Sequence, residues 1–287
     1  NILTSFSTIN SVSGLGIKTF LYPSPLHYRV VPELVYDTNS TIMFGTNSFL
    51  AGYAKYAHPY DFYSIRYIFA GAEKLQDNVR NIWQEKFGIR ILEGYAATET
   101  APVISINTPM QNKLGTVGRL LPEINYFLEP VEGVENAGKL VISGPNIMLG
   151  YYLEKNPGVL VKPKDGFYDT GDIVSIDNTG FITIKGRAKR FAKIGGEMVS
   201  LTAVEEAISS FSKGFLHAVI AIPDDKKGEK LILITEDSLL ERSQIMHYFK
   251  QQGISELALP KSIKPVEKLP LLGTGKIDYV ELSILFK

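Results

Sequence analysis

Apolar residues along this chain fall into short runs, helical stripes and alternating segments, and each pattern predicts a different element. Ile65-Arg66-Tyr67-Ile68-Phe69 reads as a short buried strand. After Ala70-Gly71-Ala72-Glu73, apolar side chains fall at Leu75, Val79, Ile82, Trp83 and Phe87, the spacing of one helix face. Gly88 follows at the position where a glycine ends a helix, and Ile89-Arg90-Ile91-Leu92 reads as the next strand. Strand, helix and strand over this length predict a βαβ unit, so part of the sheet is expected to be parallel.

Beyond about residue 115 the texture changes. Short β-rich runs at 125–128, 138–143, 173–176 and 181–185 alternate with Gly, Pro and Asp-Asn turns, the pattern of a small antiparallel β subdomain. Asp177-Asn178-Thr179-Gly180 is a hairpin signal between two of them. A charged stretch, Lys185 to Arg190, precedes a second unit. There Thr202-Ala203-Val204-Glu205 reads as a capping box opening a helix to about Phe211. Strands are expected at 217–222 and 230–235, and a helix at 243–252 closed by Gly253. The expected fold class is α/β: a parallel βαβ sheet with a small β subdomain over residues 1–188, then an α+β domain over 189–287. Two domains agree with 287 residues at about 100–200 residues per domain.

Composition narrows the function. Basic and acidic residues number 30 each, so no broad electrostatic footprint for nucleic acid or anionic lipid is expected, although a local basic patch is not excluded. Without cysteine the chain has no disulfide, zinc-thiolate site or Cys nucleophile. The uncharged stretch from Thr38 to Ala54 holds too many Thr, Ser, Asn and Gly for a membrane span. No basic segment precedes an apolar run at the start, so no signal peptide is readable, and a chain opening on Asn1 suggests a fragment of a longer protein.

Four motifs carry candidate chemistry, and each also has a plain structural reading. Gly94-Tyr95-Ala96-Ala97-Thr98-Glu99-Thr100 follows a predicted parallel strand, where α/β sheets bind ligands. A Thr hydroxyl there can bond a phosphate, Glu99 can hold Mg²⁺ through oxygen, and Tyr95 offers a flat face to a base; the alternative is a strand ending in a capped turn. Tyr168-Asp169-Thr170-Gly171-Asp172 sets a carboxylate beside a tight glycine turn, suited to ribose hydroxyls or merely to its own backbone. Arg187 can reach ribose or phosphate oxygens, and Lys193-Ile194-Gly195-Gly196-Glu197 has paired glycines that permit close backbone approach. The same stretch reads equally as a surface linker. In Pro270-Leu271-Leu272-Gly273-Thr274-Gly275-Lys276 two glycines present a lysine that can meet developing negative charge, or can simply be solvated. It lacks the spacing of a Walker loop.

In order and spacing these motifs resemble the adenylate-forming (AMP-binding) superfamily, which includes acyl-CoA synthetases, luciferases and peptide-synthetase adenylation domains. More narrowly, Phe20–Arg29, Ala70–Leu75, Gly186–Ile194 and Gly196–Leu201 are similar to the acyl-[acyl-carrier-protein] synthetase half of bifunctional 2-acylglycerophosphoethanolamine acyltransferases. The resemblance implies the C-terminal part of the superfamily's large domain, followed by a mobile small domain. It implies ATP/AMP and Mg²⁺ as cofactors, with a fatty acid and acyl carrier protein, or coenzyme A, as partners. Gly71, Ala72 and Glu73 would line the adenine pocket, with Tyr95 stacked on the ring. Thr98 would bond phosphate and Glu99 the Mg²⁺. Asp172 and Arg187 would hold the ribose beside Ile184. Lys189 would be the hinge, Lys276 the charge-stabilising lysine, and Lys193, Gly195, Gly196 and Glu197 the loop shaping the thiol tunnel.

The superfamily's Ser/Thr/Gly-rich phosphate loop and a His-containing motif have no match in this sequence, and Ala96 stands where many members carry Gly. The chain alone is therefore expected not to turn over ATP. It is expected to be soluble, with the longer protein at the cytoplasmic face of the inner membrane. A fatty acyl-CoA ligase and a non-catalytic nucleotide-binding module are the alternatives.

Overall fold

The computed structural model describes residues 16–272 and 276–286; Asn1 and Gly273, Thr274 and Gly275 of the lysine motif lie outside them. Two compact units are distinguished. The first comprises residues up to Phe127 with Val141–Thr170 and Ile176–Ile184, and the second Leu128–Leu140, Gly171–Ser175 and Lys185–Lys287.

In the first unit, α1 (Val30–Asp37), β1 (Ile42–Gly45), α2 (Asn47–Tyr56), β2 (Tyr67–Ala70), α3 (Asp77–Phe87), β3 (Ile91–Ala96), β4 (Val103–Ile106) and β5 (Arg119–Leu120) follow in order. The five strands form one sheet in sequence order. β1, β2 and β3 are mutually parallel, whereas β4 and β5 are each antiparallel to the strand before. The expected βαβ unit is β2–α3–β3. The uncharged stretch from Thr38 to Ala54 is β1 and most of α2, and among the described residues no helix is long and apolar enough to cross a membrane.

The core of this unit gathers Leu50, Tyr53, Phe62, Ile68, Val79, Trp83 and Ile91. Trp83 is fully buried, its indole N–H donates to the Leu50 carbonyl at 2.9 Å, and its ring lies 4.6 Å from Phe62. Two positions of the predicted stripe differ. Leu75 is buried but precedes α3, which starts at Asp77, and Ile82 is 42% exposed. Ile82 lies about 100° around the axis from Trp83, at the stripe's edge. Gly88 takes φ +66°, and the Ile89 N–H reaches back to the Trp83 carbonyl at 3.1 Å, a left-handed stop that only glycine adopts without strain.

Next come β6 (Asn125–Pro130), β7 (Gly138–Ser143), β8 (Tyr151–Tyr152), β9 (Leu160–Val161), β10 (Tyr168–Ile176) and β11 (Ile182–Arg187). One sheet has the order β11-β10-β7-β6, and β8 and β9 form an antiparallel ribbon. The predicted strand at 173–176 extends back to Tyr168, so Tyr168–Asp172 is strand rather than a tight turn, and Gly171 adopts φ +70° inside it. The hairpin at 177–180 forms as expected: Asp177 Oδ1 accepts from the Thr179 and Phe181 N–H groups. The Lys113 ammonium, 2.6 Å from Asp177 Oδ2, and the Thr179 hydroxyl hold that carboxyl well below the usual range.

In the second unit, β12 (Phe191–Ile194), β13 (Glu197–Ser200), α4 (Leu201–Phe211), β14 (His217–Asp224), β15 (Gly228–Thr235), α5 (Arg242–Gln251), β16 (Ser262–Pro265) and α6 (Tyr279–Leu285) build a sheet with helices. β15 pairs with β14 along one edge, and with β12 at Gly228 and β16 at Ile232–Thr235 along the other. Val219, Leu231 and Leu233 belong to a core with α4 and α5, while Ala218, Ile220, Ile232 and Ile234 belong to one with Leu282 of α6. A sheet buried on both faces explains why 218–222 reads as an unbroken apolar run.

The capping box expected at Thr202 and Glu205 is not there. Ser200 caps α4, its hydroxyl accepting from the Ala203 N–H at 3.2 Å, because the helix starts two residues earlier than the box requires. Glu205 turns inward instead. Its Oε1 accepts from Arg190 and from the Val219 N–H, both at 2.6 Å, and the Tyr279 hydroxyl lies 3.1 and 3.0 Å from its two oxygens. The Arg190 guanidinium also covers the Tyr279 ring at 3.8 Å. Burial pushes the Glu205 carboxyl up, against the pull of Arg190 and the Val219 N–H.

Replacing Arg190 with Leu strands Glu205, and breaking such a pair costs about 3–5 kcal/mol. A carboxyl with a raised folded-state pKa favours folding below its unfolded value, about 4.3, and that contribution is lost as pH rises through the folded value. The deficit of Arg190→Leu is therefore expected to shrink as pH falls from about 7 toward about 5. Denaturant unfolding followed by circular dichroism reads this, while fluorescence of Trp83, the sole tryptophan, reports the first unit separately.

Candidate functional site

Three parallel strands end on the same side of the first unit, at Gly45, Ala70 and Ala96. An open cavity of about 80 Å³ lies at these ends, lined by Phe44, Thr46, Phe69, Gly71, Ala72 and Tyr95 among others. The carboxyl ends of parallel strands are where such sheets take ligands, since the loops there diverge and leave a crevice. Phe44 and Phe69 stack at 5.7 Å, and Tyr95 is buried at 7% exposure. Gly71, Ala72 and Tyr95, all expected at an adenine pocket, thus share one cavity. Ala72 holds φ +66°, a conformation costing an L-residue about 1–2 kcal/mol, so the turn after β2 is held in place by its surroundings. Glu73 is engaged elsewhere: its Oε2 accepts from the Ser48 N–H at 3.0 Å and hydroxyl at 2.8 Å, so its side chain pins the turn to the start of α2. Ala96 lines the cavity where the β3–β4 register shifts.

Thr98 and Glu99 lie in a single helical turn after β3, with Thr98 exposed and Glu99 partly buried. Glu99 is held at both ends. Its carbonyl accepts from the Met148 N–H at 2.8 Å, and its Oε1 from the Tyr151 hydroxyl at 2.7 Å. Tyr168 also hydrogen-bonds to Glu99 and Tyr151, and burial, then the Glu99 charge, pushes its phenol up. Among the described residues no cluster of three or more His, Asp or Glu could enclose a metal ion. A lone carboxylate fits magnesium that arrives with nucleotide phosphates and keeps several waters.

In the second unit Asp172 is 4% exposed, and Arg187 Nε lies 2.8 Å from its Oδ1. The two expected ribose ligands are thus paired with each other. Ile184, three residues before Arg187 on β11, is 38% exposed, and Lys189 is exposed in the turn that follows. Gly195 and Gly196 are the two-residue loop of the β12–β13 hairpin, with φ +62° and +92°, the values of a type I′ turn. The Lys193 N–H donates to Glu229 at 2.6 Å and its ammonium meets Glu132 at 2.9 Å, while Glu197 is exposed at the start of β13. Lys276 is exposed. Its carbonyl accepts from the Leu272 N–H at 2.7 Å, and Leu271 pairs with Ile277, so the ends of the lysine motif are fixed together.

Residues 3–152, just over half of the chain, match the AMP-binding enzyme family. The chain belongs to that family. It is 28% identical over 281 residues to a long-chain-fatty-acid–CoA ligase of Yersinia pestis, covering 93% of this chain and 49% of that protein. A medium-chain fatty-acid–CoA ligase of Escherichia coli is 27% identical over 234 residues, 77% of this chain and 40% of that one. The chain thus spans about half the length or less of these relatives. Among solved structures it is similar to ATP-bound MatB from Rhodopseudomonas palustris, with TM-score 0.73 and 25% identity over 89% of this chain and 53% of that one. The fold is shared with the O-succinylbenzoate coenzyme A synthetase MenE of Bacillus subtilis, solved with ATP and magnesium, at TM-score 0.75 and 21% identity, covering 96% of this chain and 64% of that one.

Sequence reasoning missed Tyr151 and Tyr168 as partners of Glu99. Tyr168 opens a motif already singled out and was within reach, whereas nothing local ties Tyr151 to a glutamate 52 positions earlier. The Asp172–Arg187 pair has a measurable consequence. Asp172 is buried and Arg187 mostly exposed, so Arg187→Ala is expected to cost about 1–2 kcal/mol. A double-mutant cycle with Asp172→Ala, read by chemical denaturation, is expected to give a coupling of about 0.5–2 kcal/mol; a coupling of zero would mean that the pair does not form in solution.

Proposed function

We propose that this chain is the nucleotide-binding and small-domain part of an ATP-dependent acid–thiol ligase acting on fatty acids. The observation that carries the reading is the convergence of Gly71, Ala72 and Tyr95 on one cavity at the strand ends of an AMP-binding family chain. In the first half-reaction a fatty-acid carboxylate oxygen attacks the α-phosphorus of ATP and pyrophosphate leaves, giving acyl-adenylate. In the second, a thiol sulfur attacks the acyl carbonyl and AMP leaves.

Tyr95 stacks on the adenine, and Gly71 and Ala72 bring backbone close to its edge. Asp172 and Arg187 take the ribose hydroxyls, with Ile184 as an apolar neighbour. Thr98 bonds a phosphate oxygen, and Glu99 holds magnesium, whose charge offsets that of the phosphates. Lys276 supplies positive charge where negative charge develops in the transition state. Residues 189–287 swing about Lys189, bringing either Lys276 or the Lys193–Glu197 hairpin, with Gly195 and Gly196 at its tip, to the nucleotide. No phosphate loop of the superfamily's type is present in this sequence, so turnover is proposed to need further polypeptide.

For the acceptor, the segments Gly186–Ile194 and Gly196–Leu201 favour acyl carrier protein, with the longer protein a bifunctional phospholipid acyltransferase at the cytoplasmic face of the inner membrane. A second reading, coenzyme A, is favoured by relatives named as CoA ligases. Both thiols end in the same phosphopantetheine arm. Offering each to the full-length protein with ATP and a fatty acid, and following thioester formation, separates them.

Lys276→Ala in the full-length protein is expected to slow acyl-adenylate formation about 10²–10³-fold, while the thioester step from preformed acyl-adenylate falls much less. Equal damage to both would count against the role. Proline fixes φ near −65°, so Lys189→Pro is expected to retain a burst of acyl-adenylate and to lose thioester product. An overall rate within a few-fold of normal would place the swivel elsewhere.

A further inference from the structure

The carboxylate at the end of β3 is more closely held than a single metal ligand needs to be. Glu99 Oε1 accepts from the Tyr151 hydroxyl at 2.7 Å, and the Tyr168 hydroxyl bonds both the Glu99 carboxylate and Tyr151. The two phenols come from β8 and β10, and the Met148 N–H fixes the Glu99 backbone from the same stretch that leads into β8. A free glutamate has three rotatable bonds and about four lone-pair positions on its carboxylate. Phenol donors on that carboxylate remove most of this freedom and leave the remaining lone pairs facing away from the rings. Magnesium requires near-octahedral geometry at short distance and tolerates a wandering ligand poorly.

We infer that Tyr151 and Tyr168 are positioning residues for the magnesium carboxylate. They hold Glu99 in one orientation, so that it meets a single Mg²⁺–nucleotide complex through the lone pairs the phenols do not occupy. Neither phenol touches the metal or the nucleotide. The inference rests on Glu99 being the magnesium ligand. A purely structural tie between β8 and the turn at Glu99 would predict lost stability with unchanged metal dependence.

The test is equilibrium calorimetry of ATP binding to the full-length protein at rising MgCl₂, without fatty acid so that no turnover occurs, alongside binding of AMP without metal. Tyr151→Phe and Tyr168→Phe keep the rings and remove only the hydroxyls. Each is expected to raise the magnesium concentration for half-maximal ATP binding about tenfold, within the about 10–100-fold range for losing an outer partner of a metal ligand. AMP affinity without metal is expected to stay unchanged. Tyr151 is 44% exposed, so Tyr151→Phe decides the matter if Tyr168→Phe fails to fold. Glu99→Gln is the control. If it abolishes the magnesium dependence while the tyrosine variants leave it unmoved, or weaken AMP and Mg²⁺-ATP equally, the positioning role is overturned. If Glu99→Gln itself leaves the dependence intact, the fault lies with the metal assignment, and the positioning role falls with it.

Discussion

The parallel register of β1, β2 and β3 is the constraint from which the candidate site follows. Parallel strands cannot be joined by tight turns, so each connection runs through α2 or α3 and returns to the same end of the sheet. All three strands therefore finish side by side, at Gly45, Ala70 and Ala96, and the chain leaves each end in a different direction. The cavity is the space between those departures. Its lining alternates small backbone-exposing residues, Gly71 and Gly94, with the flat rings of Phe44, Phe69 and Tyr95. Trp83 and Phe62 pack against each other in the core of the same unit.

The second unit depends on a different kind of bond. A carboxylate with little access to water is stable only when its donors are close and well aimed. Glu205 has such donors from three parts of the chain: Arg190 just before β12, the backbone at the start of β14, and Tyr279 at the start of α6. One residue on α4 thereby fastens the strand that follows Lys189 and the helix that follows Lys276. Those two lysines are anchored to a common framework although 87 positions separate them in the sequence.

Elements whose pattern is local were legible in the sequence. The Val79–Trp83–Phe87 stripe, the Gly88 stop, the 177–180 hairpin and the unbroken run at 218–222 each depend on side chains within a few positions. The failures share a cause. Thr202-x-x-Glu205 satisfies a local capping rule, but Arg190 and Tyr279 compete for the same carboxylate, and neither is visible from within the box. The partners of Glu73, held by Ser48, and of Glu99, which carries a tyrosine hydroxyl, are equally distant in sequence and could not be read from local spacing. Charged side chains reach well away from their own backbone, and their partners are chosen by the tertiary fold. Residue identities and order supplied the candidate residues; who bonds whom among them was not encoded in spacing.

The tip of the β12–β13 hairpin carries one more consequence. At Gly195 and Gly196 a built Cβ would meet no atom within 4 Å, so no neighbour forbids a side chain there. The obstacle is handedness. Both residues occupy the half of backbone space that mirrors the one natural amino acids prefer. A D-alanine introduced by chemical ligation at either position would find its own preferred conformation and open space around its methyl, whereas L-alanine would distort the turn. Glycine suits this tip because it is the one achiral residue the ribosome can supply, and the constraint on the hairpin's tip is in that sense one of symmetry rather than of size.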